Sequence, residues 1–237
     1  MDDASGLVVA VSDGHGSAAH FRSDAGARAA VDAAIEVLRG RPRDRELASR
    51  LLGAWRTRVE ADIVAHPFSN EEQAVFTQHG WGDPLEAYGA TLVAFAVYAD
   101  EILYLQVGDG DLLRVSRDGV TERIFEKDPA LATNQTYSLC EPEAEQRVRF
   151  RFDPRGSRDP ALLLAATDGY VNSFSRDRDF LDVGATWLQS LRERGVEAIG
   201  GRLAQMLKET SDHGSMDDIT LALLVDTQFL ASPRDAN

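Results

Sequence analysis

The sequence predicts an α+β domain built on antiparallel sheet, and three observations carry that prediction. Amphipathic helical periodicity occupies the first third of the chain. A dense block of short, β-branched runs occupies the middle, and helical periodicity returns before a last apolar run. Helices segregated from strands in this way differ from the alternating pattern that builds a parallel sheet. No repeat, low-complexity tract or linker interrupts the 237 residues, so residues 1–230 read as a single domain with 231–237 as a frayed tail.

Taken in order, Leu7-Val8-Val9-Ala10-Val11 is a short apolar run stopped by Ser12-Asp13-Gly14, which reads as a buried strand delivering Asp13 to its end. Over residues 24–39, Ala27, Val31, Ala34, Ile35 and Leu38 recur at helical spacing until Gly40 and Pro42 stop the helix. A second amphipathic helix spans residues 44–65, starting at about Asp44, with Leu47, Leu51, Leu52, Trp55, Val59 and Ile63 on one face. Residues 66–88 lack a clear period and are rich in Gly, Pro, Asn and Glu, so they read as a long surface loop.

Strand character then returns at 90–98, 102–107, 112–115 and 120–124. Asp100-Glu101, Gly108-Asp109-Gly110 and Arg117-Asp118-Gly119 separate these runs as hairpin turns would, which predicts an antiparallel meander. Residues 146–152 alternate Val148, Phe150 and Phe152 with Arg147, Arg149 and Arg151, the pattern of a strand whose arginines form a solvated face. Residues 161–166 are uniformly apolar and end at Thr167-Asp168-Gly169, repeating the arrangement at Asp13. Helices over 183–194 and 196–210 and a last strand over 219–225 complete the reading.

Composition narrows the function. With 43% hydrophobic and 27% charged residues the chain is ordinary globular protein, and its single cysteine, Cys140, excludes an internal disulfide and a cysteine-built zinc site. A reducing, cytoplasmic location is expected, with no membrane span and no secretory leader. A net charge of -14 argues against nucleic-acid partners and fits carboxylates gathered around hard cations.

Asp13, Asp109 and Asp168 each follow a predicted strand and adjoin a glycine, whereas Asp217 and Asp218 precede one. Antiparallel neighbours put strand ends and strand starts on the same rim, so several carboxylates can converge there. Magnesium and manganese take octahedral oxygen ligands, and a pair of such ions activates water and clamps a phosphoryl group. Asp-Gly is also ordinary turn chemistry, which accounts for Asp118 and, taken singly, for Asp109. The joint placement of Asp13, Asp168 and Asp217 points instead to metal-assisted phosphoester hydrolysis. His20, His66, His79 and His213 show no ligand spacing and read as ordinary surface or core histidines.

These residues also form ordered motifs. Val11-Ser12-Asp13-Gly14-His15-Gly16, Gly89-Ala90-Thr91-Leu92, Val107-Gly108-Asp109-Gly110, Leu164-Ala165-Ala166-Thr167-Asp168-Gly169 and Ser215-Met216-Asp217-Asp218-Ile219-Thr220 resemble, in sequence and order, the signatures of the protein phosphatase 2C family, in its bacterial-type branch. The resemblance implies a four-layer α-β-β-α sandwich of two antiparallel sheets flanked by helix pairs. It implies hydrolysis of phosphoserine and phosphothreonine in proteins by a metal-bridging water, with two manganese or magnesium ions. Asp13 would bridge the two ions, the Gly14 carbonyl would join the second, Asp168 and Asp217 would complete the first, and Asp109 would hold a weaker third. His15 would be the general acid, and Asp218 stands where the family has Asn. Residues 170–214 fall where relatives carry a substrate-facing flap, which places Asn172, Ser173 and Phe174 either near substrate or in a helix-capping loop. A phosphoprotein substrate and a cognate Ser/Thr kinase would be the partners.

One part of the family pattern is missing. Relatives carry, ahead of the first Asp-Gly motif, a strand with a phosphate-binding arginine and an acidic residue, whereas only Met1 to Leu7 precede the strand here, and Asp2 and Asp3 do not replace either group. An internal start of the chain leaves an active phosphatase once the strand is restored. Natural loss would instead leave a pseudophosphatase that binds phosphoproteins without turnover. The retained acidic residues favour the first of these, and removal of a strand should uncover a sheet edge.

Overall fold

The computed structural model describes residues 6–42, 46–131, 136–156 and 159–231. Asp2, Asp3, Asp44 and the tail 232–237 lie outside the described residues. The fold is α+β, with two antiparallel four-stranded sheets. Contacts divide the chain into two compact units, Met1–Gly110 with Lys127–Pro154, and Asp111–Glu126 with Arg155–Asn237.

The first unit holds strands β1 (Leu7–Val11), β2 (Leu92–Val97), β3 (Glu101–Val107) and β6 (Arg149–Pro154), in sheet order β1-β2-β3-β6. Helices α1 (Ser23–Arg39) and α2 (Leu47–Ala65) form its helix pair. The contact face of α1 is made of small residues, Ala29, Ala30, Ala33 and Ala34, which let α2 approach with its larger Leu51, Leu52, Trp55 and Val59. Trp55 is wholly buried, and its indole N–H donates to the Gly26 carbonyl at 3.0 Å, so its one polar atom is satisfied inside the core. Strand β1 is a sheet edge paired only with β2 among the described residues, and Leu7 is 50% exposed. The buried strand expected there is half-exposed except at Val11.

The expected loop at 66–88 is wrong in its larger part. It contains helix α3 (Asn70–His79) and a 3-10 turn (Pro84–Tyr88). Helix α3 is fixed by a capping box, in which Ser69 Oγ accepts from the Glu72 backbone N–H at 3.2 Å and Glu72 accepts from the Ser69 N–H at 2.7 Å. Arg22 fastens the segment to the start of α1. It donates to both Glu72 carboxylate oxygens and to the Tyr88 hydroxyl, and its guanidinium lies over the Phe68 ring at 4.7 Å. That geometry holds the Glu72 carboxyl down to about 2, chiefly through the Arg22 hydrogen bonds.

The second unit holds β4 (Asp111–Val115), β5 (Thr121–Arg123), β7 (Leu162–Ala166) and β8 (Leu221–Val225), in order β5-β4-β7-β8. Helices α6 (Asp177–Arg194) and α7 (Val196–His213) follow the short α5 (Asp168–Val171), and α8 (Thr227–Ala231) closes the described chain. Buried Trp187 donates to the Tyr170 hydroxyl at 2.9 Å inside a core of Leu113, Val115, Leu162, Leu164, Phe180 and Leu191. Arg123, whose side chain is 8% exposed, forks between Asp111 and Asp177 and ties β4 and β5 to the start of α6.

Two further expectations are corrected. The meander breaks at Gly108-Asp109-Gly110, because β3 pairs with β2 and β6 while β4 pairs with β5 and β7, so this turn carries the chain from one sheet to the other. Turn chemistry alone does not distinguish a hairpin from a crossing. The arginines of β6 are not a solvated face either. Arg149 and Arg151 are half-buried, with Arg151 paired to Asp153 at 2.7 Å, while Phe150 is 37% exposed. Arg147 and the start of that run belong instead to the short helix α4 (Ala144–Arg147).

Candidate functional site

In the first unit, Asp13 lies two residues beyond the end of β1 and is held there by buried Thr91. The Thr91 N–H donates to the Asp13 carbonyl at 2.8 Å, the Asp13 N–H donates to Thr91 Oγ1 at 3.2 Å, and Ser12 Oγ donates to the Thr91 carbonyl. Gly14 forms an antiparallel bridge with Ala90. The β2–β3 register then puts Leu92 opposite Val107, so the Gly108-Asp109 turn leaves the sheet beside Thr91. Asp109 accepts from Thr136 Oγ1 at 2.7 Å. Asp13, Gly14 and Asp109 thus share one end of one sheet.

His15 follows in the same loop, with its N–H donating to the Gly89 carbonyl at 3.1 Å. Its ring meets that of His20 at a centroid distance of 4.8 Å, and His20 meets Trp81 at 5.1 Å. Burial, aided by His20, pushes the His15 pKa down to about 4, so the ring is neutral at pH 7. His20, read from sequence as an ordinary histidine, is therefore part of the surroundings of His15.

The second unit repeats the design. Asp168 follows β7 and opens α5. Buried Thr167, just before Asp168, is bonded to the neighbouring strand rather than to the aspartate: its N–H donates to the Thr220 carbonyl at 3.0 Å, and its Oγ1 accepts from the Thr220 N–H at 2.9 Å. Gly169 lets the two segments touch, since a Cβ there would fall 2.2 Å from the Asp218 carbonyl oxygen and 3.4 Å from Asp217 Cβ. Asp168 and Asp217 therefore stand on adjacent backbones. Asp217 is exposed and accepts from the Asp218 N–H at 2.8 Å, which leaves Asp218 holding the turn by its backbone. Met216 before it adopts a left-handed backbone with φ 57 and is 84% exposed.

The segment expected to face substrate is tied into this rim. Asn172 Nδ2 donates to Asp168 Oδ2 at 3.1 Å, and Ser173 Oγ donates to the Gly169 carbonyl at 2.8 Å and contacts Ser215 Oγ at 3.1 Å. Phe174 packs edge-on against Tyr170 in the second core. Of the other histidines, His66 pairs with Asp62, and His213 Nδ1 bonds the Glu209 carbonyl.

The carboxylates at these strand ends, Asp13 and Asp109 in the first unit and Asp168 and Asp217 in the second, are hard oxygen donors of the kind magnesium or manganese takes. The Gly169 contact supports that match, because the space a Cβ would fill is what brings the Asp168 and Asp217 backbones together. Among the described residues, no group of three or more His, Cys, Asp or Glu side chains stands close enough to hold a metal ion unaided. A groove of about 490 Å³ on the β4–β5 hairpin, lined by Arg114, Arg117, Asp118 and Glu122, contains none of the predicted site residues. No helix among the described residues is long and apolar enough to cross a membrane.

Comparison with known proteins agrees with this architecture. A family model described as Protein phosphatase 2C matches residues 1–209. Similar solved structures include the serine/threonine phosphatase Stp1 of Staphylococcus aureus, at 15% identity over 93% of this chain and 84% of that one, with a TM-score of 0.55. The catalytic domain of PstP, a Mycobacterium tuberculosis phosphatase, was solved in complex with two manganese ions; it shares 16% identity over 92% of this chain and 86% of that one, TM-score 0.53. A sex-determining protein of C. elegans matches at 16% identity over 94% of this chain and 58% of that one, TM-score 0.59. At these identities the likeness is one of fold. No curated protein matches the chain.

Proposed function

The chain belongs to the protein phosphatase 2C family, and we propose that it hydrolyses phosphoserine and phosphothreonine in proteins with the help of two divalent cations, manganese or magnesium. The observation that carries this reading is the pair of strand ends at Asp13 and Asp168, each followed by a glycine, where Thr91 bonds the Asp13 backbone and Thr167, just before Asp168, bonds Thr220. Asp13 and the Gly14 carbonyl would hold cations from the first unit, Asp168 and Asp217 from the second, and Asp109 a weaker third. When bound, such cations supply Lewis-acid polarisation of the phosphoryl group and acidify water at neutral pH.

The protein's own residues do the rest. Thr91 and Ser12 set the Asp13 backbone before any ligand arrives, so little reorganisation is needed on binding. His15 is neutral at pH 7 as the chain stands, and an arriving phosphoester dianion favours its charged form, because a nearby anion raises a histidine's pKa. The charged ring then gives its proton to the leaving seryl or threonyl oxygen.

A second reading, a phosphoprotein-binding module without turnover, draws on the lack of a ready-made three-residue metal cluster among the described residues. Hydrolysis of an aryl phosphate with manganese separates the two. Turnover that disappears in Asp13→Ala supports the enzyme. Equal rates for the two proteins exclude it, and phosphopeptide binding without turnover supports the module.

A further inference from the structure

The 66–88 segment, read from sequence as a featureless loop, ends against His15. Gly89 sits where both imidazoles meet: a Cβ on it would fall 2.5 Å from His15 Cδ2 and 2.5 Å from His20 Nδ1. Just before it, the Glu86 carbonyl lies 2.5 Å from His20 Nδ1. A carbonyl only accepts, so Nδ1 of His20 carries the hydrogen and its tautomer is fixed. On the far side, Trp81 stacks on His20 with an interplanar angle of 34°, and His79 stacks on Trp81 at 32°. The segment is itself anchored by the Arg22–Glu72 pair and the α3 capping box. His20 is thereby clamped on three sides, and its remaining side is the His15 ring.

We propose that His20 is a positioning residue, which the Glu86 carbonyl and Trp81 hold in one tautomer and orientation so that it sets the ring of His15. The 66–88 segment is then a buttress for the proton donor rather than a spacer. The proposal rests on the phosphatase reading for its consequence in turnover, while its structural content stands apart from activity.

Two variants separate the atoms involved. His20→Ala removes the ring and its hydrogen bond. His20→Asn keeps an N–H near the place of Nδ1 and so keeps the bond to Glu86. With manganese and an aryl phosphate, His20→Ala should lower kcat roughly tenfold to a hundredfold with KM within about twofold, and His20→Asn should recover much of the loss. Imidazole nitrogen NMR gives a readout that needs no activity. The wild type should show His20 as the Nδ1–H tautomer, and His20→Ala should shift or broaden the His15 ring signals, with a smaller change of the same kind in Trp81→Ala.

His20 found as the Nε2–H tautomer, or His15 signals unmoved in a folded His20→Ala protein, would overturn the proposal. So would unchanged kcat in that variant of an active enzyme. If the NMR behaves as expected but the wild type hydrolyses nothing, the buttress stands and the phosphatase reading fails.

Discussion

The strand end at Asp13 and the strand end at Asp168 are built alike from different neighbours. Each follows an apolar strand and each is followed by a glycine; buried Thr91 bonds the Asp13 backbone, and buried Thr167, just before Asp168, bonds Thr220. Their surroundings then diverge. Beyond Asp13 comes half-buried His15, whose ring meets His20, which in turn meets Trp81, so the first rim is lined by rings. Beyond Asp168 come Asn172, Ser173 and a turn in which Met216 and Asp217 are exposed, so the second rim is polar and open to water. A carboxylate pair on an open rim is ready to take a hydrated cation, whereas a half-buried imidazole is suited to proton transfer. Similar strand ends are thus completed differently by what packs beyond them.

The largest effect should come from Gly169→Ala. Its Cβ would meet the Asp218 backbone carbonyl at 2.2 Å, and backbone cannot rotate away, so the two segments of the open rim must part. A loss of at least about 2 kcal/mol in stability and of most manganese-dependent turnover is expected, read by thermal unfolding and phosphate release. Gly89→Ala on the ring-lined rim meets side chains instead. It should cost less stability and act chiefly on kcat, so equal stability losses for the two variants would break the comparison.

Next in size are the threonine clasps. Thr91→Val and Thr167→Val each keep shape and remove a hydroxyl that bonds the opposite backbone. Each should cost about 1–2 kcal/mol in denaturant unfolding, and similar values would confirm that the clasps are equivalent. Smaller still is the acid sensitivity of the buttress. Glu72 has its carboxyl lowered from 4.5 to about 2, so the stability it supplies is complete above 4.5 and fades as pH falls toward 2. Amide exchange in α3 should quicken over that window before the rest of the first unit responds, and Glu72→Gln should remove the pH step. Gly16→Ala should be the smallest change, within about 0.5 kcal/mol, because a Cβ there meets nothing within 4 Å.

Much of this was legible in the sequence. The apolar runs before Asp13 and Asp168 and the helical period of α1, α2, α6 and α7 come from burial of one face, which composition records directly. The strand–Asp–Gly repetition identified both rims. Other features depend on contacts between distant residues. Gly108-Asp109-Gly110 reads as a hairpin because a crossing between sheets uses the same turn residues. The capping box Ser69-x-x-Glu72 was a readable signal for α3, hidden because α3 has no buried residue to give it a period. His20 has no ligand spacing, and only the fold brings it against His15, with Glu86 and Trp81 around it.

The proposed function has each rim hold divalent cations, and calorimetric titration with manganese tests that most directly. Asp13→Asn and Asp168→Asn keep the shape of each side chain and remove one charge from one rim. Each should weaken manganese binding about tenfold or more while leaving thermal unfolding of the metal-free protein nearly unchanged. Wild-type affinity in either variant would show that its rim holds no cation and contradict the proposed function.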